Sequence, residues 1–137
     1  MSKPWMIGWF VCVVVAASVG LAACGEIECA TTNVSYTKCV QPIFARGCAG
    51  SFCHGKDLPS LGLTLTEGSP TALVGADSKQ NPGAKLVVAG KSADSYLYQK
   101  VSQDRPASGS RMPSGTKLSE LQINLIKAWI DEGAKNN

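Results

Sequence analysis

Three segments with helical spacing of apolar residues, separated by long turn-rich stretches, predict a single small domain whose regular elements are helices. The clearest segment runs from Ser119 to Gly133. Ser119 and Gln122 form a capping-box pair, and Leu118 and Ile123 are placed as its hydrophobic staple. In the middle of the chain, Pro59, Gly62, Gly68, Pro70, Gly75, Pro82, Gly83 and Gly90 break every pattern between residues 55 and 91. The chain's 137 residues suit one domain. Charged residues at 17% and hydrophobic residues at 45% exclude a disordered composition. A net charge of +3 with no run of Lys or Arg gives no support to nucleic-acid binding.

Taken in order, residues 1 to 23 read as a lipoprotein signal peptide. Lys3 is the positive start, Ile7 to Val19 the apolar run, and Leu21-Ala22-Ala23-Cys24 resembles the bacterial lipobox. The run is shorter than the roughly 20 apolar residues that a spanning helix needs. Cys24 is then the lipidated first residue, held at a membrane surface by several acyl chains at about 0.8 kcal/mol per buried CH₂. An ordinary signal peptide or an uncleaved anchor helix are the alternatives. Gly25 stands where Asp marks inner-membrane retention in some bacteria, a hint toward the outer membrane. Residues 24 to 35, small and polar, read as a tether, and residues 36 to 137 as the domain.

Within the domain, Val40, Ile43 and Phe44 give one face to a helix over about Lys38 to Arg46. Pro42 lies in its first turn, and Gly47 ends it with a left-handed cap. Leu61, Leu63 and Leu65 alternate, as an extended segment does or as loop leucines laid inward do. Ser69-Pro70 starts a short helix through Val74. Leu86-Val87-Val88 reads as extended or loop. Ser92 caps a helix to about Ser102, with Asp94 in its first turn and a mixed face of Tyr96, Leu97, Lys100 and Val101. In the last helix, Leu121, Leu125, Ala128 and Trp129 form one apolar row, Ile123, Ile126 and Ile130 a second, and Gly133 the stop.

The chemistry is concentrated in Cys48-Ala49-Gly50-Ser51-Phe52-Cys53-His54. Two thiols precede the protein's only histidine. A cysteine pair followed directly by histidine is the pattern that attaches haem covalently: the thiols form thioethers with the vinyl groups and the imidazole ligates iron. The spacing is C-x-x-x-x-C-H where C-x-x-C-H is usual, and small Ala49, Gly50 and Ser51 let the extra residues bulge. The alternatives are a Cys48–Cys53 disulfide with an incidental His54, or a zinc site, for which the cluster has too few ligands. In an exported, oxidising setting, Cys29 and Cys39 remain to form a disulfide.

A haem iron for simple electron transfer needs a second axial ligand, commonly Met or His. After removal of the signal, Met112 is the one methionine left, in Arg111-Met112-Pro113, where proline stiffens the backbone. The alternative is a gap-filling core methionine. Arg105, Arg111, Lys117, Tyr96, Tyr98 and Trp129 are candidates to meet the haem propionates or edge.

Val40-Gln41-Pro42-Ile43-Phe44, Cys48 to Gly55, Val88 to Ser92 with Ser95-Tyr96-Leu97, Met112-Pro113 and Trp129 to Ala134 together resemble the monohaem cytochrome c-like domain of bacterial exported proteins. The resemblance covers roughly residues 36 to 134. It implies an all-α, cytochrome c-like fold with long irregular loops around one haem, its first and last helices packed across each other. It also implies Cys48 and Cys53 as attachment points, and His54 and Met112 as axial ligands. The expected function is a non-enzymatic one-electron carrier with one covalent haem c. It would be lipid-anchored through Cys24 in the bacterial cell envelope, on the periplasmic side or at the outer membrane, and would work with redox protein partners. Two other readings stand beside it. One is a haem enzyme or sensor with an open distal site. The other is a haem-free lipoprotein acting as a structural or binding module.

Overall fold

The computed structural model describes residues 29–66 and 70–137. Cys24, with the signal-peptide and lipidation expectations, lies outside them, as does Ser69. Among the described residues three α-helices form: α1 (Gln41–Gly47), α2 (Tyr96–Ser102) and α3 (Glu120–Asp131). A π-helical turn, Tyr36–Val40, leads directly into α1, and 3-10 turns occupy Ser60–Gly62 and Pro70–Ala72. No helix among the described residues is long and apolar enough to cross a membrane.

The first helical stretch starts earlier than its apolar spacing predicts. The Ser35 hydroxyl accepts the Lys38 N–H at 3.3 Å and opens the π turn. Pro42 sits in the first turn of α1, where its missing N–H costs nothing. Gly47 does not take the expected left-handed conformation. The chain turns at Cys48 instead, whose N–H donates to Phe44 O at 2.8 Å. A Cβ at Gly47 would lie 3.6 Å from Leu118 Cδ2, an ordinary van der Waals contact.

Helix α2 begins at Tyr96, later than the expected Ser92 cap, and leaves Asp94 outside it. The cause is the hydroxyl of Ser95. It donates to Lys91 O at 2.8 Å and accepts from Val88 N at 2.8 Å, so it serves the preceding loop and not the helix. The Ser92 N–H goes to Asp131 at 2.9 Å. Helix α3 carries the expected capping box, with bonds of 3.2 and 2.9 Å between Ser119 and Gln122, and Gly133 follows it at φ +100°. Its buried face is Leu125, Ile126, Trp129 and Ile130. Leu121, expected in that row, is 57% exposed because the first turn reaches past the core.

The all-α, cytochrome c-like expectation is corrected here. The α-helices hold only 7, 7 and 12 residues, and loops make up most of the described chain. Among the described residues between Gly47 and Tyr96 the regular pairings are two isolated bridges, Val74 with Val87 and Asp77 with Lys85. The Pro- and Gly-dense sequence there cannot sustain a helical ladder. Helix α3 packs on the π turn and on α2, and α1 on the π turn. The alternation of Leu61, Leu63 and Leu65 is no strand either. Leu61 has φ +54° inside its turn, and only Leu65 of the three is buried.

The core lies where the π turn, α1 and α3 meet. The Tyr36 ring stands 5.1 Å from Trp129 and 6.4 Å from Phe44, centroid to centroid. The indole N–H of Trp129 donates to Lys135 O at 2.9 Å, so the buried ring has no orphaned polar atom. The stretch expected as a tether is docked in its described part. The Cys29–Cys39 disulfide forms with Cα atoms 5.8 Å apart. Glu132 accepts the N–H groups of Asn33 and Val34 at 2.8 Å each, and the Asn137 side chain accepts that of Tyr36 at 2.9 Å.

Because Trp129 is 1% exposed and Leu121 is not buried, the two ends of the α3 apolar row should respond differently. Trp129→Ala should lower unfolding free energy by about 3–5 kcal/mol, and Leu121→Ala by no more than about 0.5 kcal/mol. Urea unfolding followed by circular dichroism measures both.

Candidate functional site

The end of α1 delivers Cys48 into the core, where its residue is 8% exposed. The next four residues then fold back on themselves. The Gly50 carbonyl accepts two N–H groups, Cys53 at 2.9 Å and Gly55 at 3.2 Å, while the His54 N–H closes onto Cys48 O at 3.0 Å. A tight turn thus separates the two thiols. Gly55 has to be glycine: a Cβ there would lie 2.9 Å from Gly50 O and 3.2 Å from Ala49 O. The Cys53 sulfur folds over Gly50, 3.6 Å from where that residue's Cβ would be.

Cys48 and Cys53 are both free thiols, the first buried and the second exposed. They are not joined as the disulfide alternative requires. Burial, and secondarily the charge of the neighbouring Cys53, push the Cys48 thiol up to about 11. A thiol so placed is protonated at neutral pH and inert unless its surroundings change.

His54 is held from behind. Its Nδ1 lies 2.9 Å from Leu63 O. A carbonyl can only accept, so Nδ1 carries the hydrogen, and in the neutral ring the Nε2 lone pair is the one left to bind. Imidazoles that ligate metals are oriented by this kind of bond. Two backbone bonds brace the same arm: Leu65 N–H to His54 O at 2.8 Å, and Ser60 N–H to Cys53 O at 2.6 Å. The part played by Leu63 had no mark in the sequence, because it is made by a backbone carbonyl that every residue has. Phe52, Leu58 and Leu61 stand exposed on this loop, Phe52 at 90%.

Met112 lies on a separate loop hung from α2, and is half-buried. Its N–H donates to Lys100 O at 2.7 Å, and Arg111 Nε donates to Val101 O at 3.1 Å. These contacts satisfy carbonyls that a helix end leaves open. Asp104 accepts from Arg111 at 2.8 Å and from Lys117 at 2.7 Å, bonds that hold its carboxyl below the usual carboxylate range. The Met112–Pro113 peptide is cis. Pro113 Cγ lies 3.8 Å from where a Cβ on Gly47, the last residue of α1, would stand. The Met112 sulfur takes a hydrogen bond from Ser114 Oγ at 3.6 Å.

Of the residues expected at a haem edge, Trp129 and Tyr96 are core side chains. The Tyr96 hydroxyl donates to Ser108 O at 2.6 Å. Arg111 and Lys117 are committed to Asp104, Arg105 is exposed and Tyr98 is half-buried. An open depression of about 430 Å³ is lined by Thr31, Asn124, Lys127, Ala128, Asp131 and Glu132. None of these belongs to the thiol or methionine loops.

Among the described residues no group of three or more His, Cys, Asp or Glu could hold a bare metal ion. A porphyrin brings its own ring of nitrogens and asks the chain only for axial donors and attachment points. Two unpaired thiols and an imidazole whose Nδ1 is already engaged are donors of the kind this demand needs, while the Met112 thioether lies on a separate loop. Compared with known proteins, the chain matches no family model, no curated protein and no solved structure.

The difference between the thiols is measurable. In the chain without haem, iodoacetamide at pH 8 should label Cys53 well before Cys48, of which about one molecule in a thousand is thiolate at that pH. Peptide mass mapping over a time course reads the order, and equal rates would contradict the burial described.

Proposed function

We propose that this chain is a single-haem c-type cytochrome, a one-electron carrier anchored by lipid on Cys24 in a bacterial cell envelope. One observation supports the reading above the others: two unjoined thiols lead into an imidazole whose Nδ1 is already engaged by Leu63 O, with Nε2 left as the donor. When bound, the haem supplies the one-electron iron couple.

The chain's own residues have distinct tasks. Cys48 and Cys53 attach the group, one from inside the core and one from the surface. His54 would ligate the iron through Nε2, kept in one tautomer by its bond to Leu63. Met112 would supply a thioether as second ligand, a donor that raises the reduction potential. If His54 and Met112 were both engaged by the haem, the iron would offer no open position for a substrate, and the protein would act as a carrier and not as an enzyme. Its partners are other redox proteins.

The test is expression of the full chain with a cytochrome maturation system. A denaturing gel stained for haem, and the intact mass, should show one haem on the wild type, and none on Cys48→Ala/Cys53→Ala. Oxidised wild type should show the methionine-to-iron charge-transfer band. Met112→Ala should lose that band and show a lower potential, a shift within the roughly 0.8 V over which axial ligands tune haem. Colourless wild type with a Cys48–Cys53 disulfide would overturn the proposal in favour of a haem-free module. A coloured protein with a high-spin spectrum would overturn the carrier in favour of a haem enzyme or sensor.

A further inference from the structure

Lys100 is the one lysine among the described residues that is buried in the core of the fold, at 8% exposure. Among the described residues no carboxylate pairs with it. Its ammonium lies 5.8 Å from the centre of the Tyr96 ring, donates to Ser110 O, and reaches Ser108 O at 3.5 Å. Its backbone carbonyl accepts the Met112 N–H at 2.7 Å. One residue therefore grips the loop at Ser108, Ser110 and Met112, using both its side chain and its main chain.

Taking a cation out of water is costly unless strong partners replace the water. An apolar side chain would fill the same place on α2, between Leu97 and Val101, without that cost. What lysine adds is donors for a segment that lacks a ladder of its own. Residues 103 to 117 contain Pro106, Gly109, Pro113 and Gly115 and form no helix or strand. The loop's carbonyls at Ser108 and Ser110 would otherwise have only the Tyr96 hydroxyl at Ser108.

We propose that Lys100 is a positioning residue: by holding Ser108, Ser110 and Met112 to α2, it sets where the Met112 thioether stands. The inference rests on the reading of Met112 as the second iron ligand, and predicts that loosening Lys100 frees that sulfur while the rest of the fold stays. The bond from Met112 N–H to Lys100 O uses no side-chain atom, so its donor and acceptor stay in place in every variant and only the ammonium's hold on the loop changes.

The experiment compares full-length, haem-loaded wild type, Lys100→Met and Lys100→Arg. Two readouts are independent of electron transfer: amide hydrogen exchange at Met112 against Ile126 in α3, and the rate at which dilute peroxide converts Met112 to its sulfoxide, followed by mass spectrometry. The third is the methionine-to-iron charge-transfer band. In Lys100→Met, exchange at Met112 should quicken about tenfold, the loss of a charge-assisted hydrogen bond, with Ile126 unchanged. Sulfoxide should form faster and the band should weaken. Lys100→Arg, which keeps donors, should restore all three toward wild type. Lys100→Met behaving as wild type in exchange, oxidation or band overturns the proposal. If Lys100→Met also loses protection at Ile126, Lys100→Arg decides: restoration at both amides upholds it, and failure to restore overturns it. A wild type without the band sinks Met112 as a ligand, and with it this proposal, whereas a normal band in wild type that Lys100→Met leaves intact sinks the role of Lys100 alone.

Discussion

The indole of Trp129 lies against the Tyr36 ring, which also neighbours Phe44, and this aromatic contact joins the two ends of the described chain. Polar bonds reinforce it at its rim, where Glu132 and Asn137 take the N–H groups of Asn33, Val34 and Tyr36. Everything else hangs from that junction. Helix α1 continues the π turn that carries Tyr36 and so aims Cys48 into the core. Helix α3 carries Trp129 and, through the Asp131 bond to Ser92, steadies the approach to α2. A domain with so little regular structure needs such a closure, because its loops cannot supply cooperative backbone ladders.

Two loops extend from this frame. The first is the thiol loop, wound tight around the Gly50 carbonyl and backed by the Leu63–Leu65 segment. The second is the methionine loop, fastened to the open end of α2. The loops differ in how they are stabilised. The thiol loop relies on backbone bonds and on a glycine that tolerates no side chain. The methionine loop relies on charged side chains, Lys100 and the Asp104 pair with Arg111 and Lys117. Backbone closure gives a fixed geometry, while side-chain fastening leaves a segment that can yield without disturbing the core.

Much of this was legible in the residues. The capping box at Ser119, the stop at Gly133, the proline-tolerant first turn of α1 and the Cys29–Cys39 pairing all follow from local chemistry, and the structure has them. Other readings failed for identifiable reasons. Ser92 and Asp94 look like a helix start, but the Ser95 hydroxyl turns to Lys91 and Val88 and delays the helix to Tyr96. Leu121 fits the apolar row of α3, yet nothing lies over it. An all-helical class followed from resemblance, and the Pro- and Gly-rich middle of the chain does not allow it. Lys100 did carry a signal, a lone cation in the stripe of Tyr96, Leu97 and Val101, but a stripe cannot say whether a lysine reaches out to water or inward to carbonyls.

The sequence alone determined which reactive groups exist and in what order: two thiols ahead of a single imidazole, and one methionine beside a proline. It also determined where helices could stop, since caps and breakers act within a turn of themselves. Only the tertiary structure decided which groups are buried, which are free and which backbone atoms hold them. It left Cys48 inside and Cys53 outside, turned the Nδ1 of His54 to Leu63, and bound the methionine loop to Lys100. The physical reason is that burial and hydrogen-bond partnership depend on segments far apart in the chain, which local pattern cannot bring together.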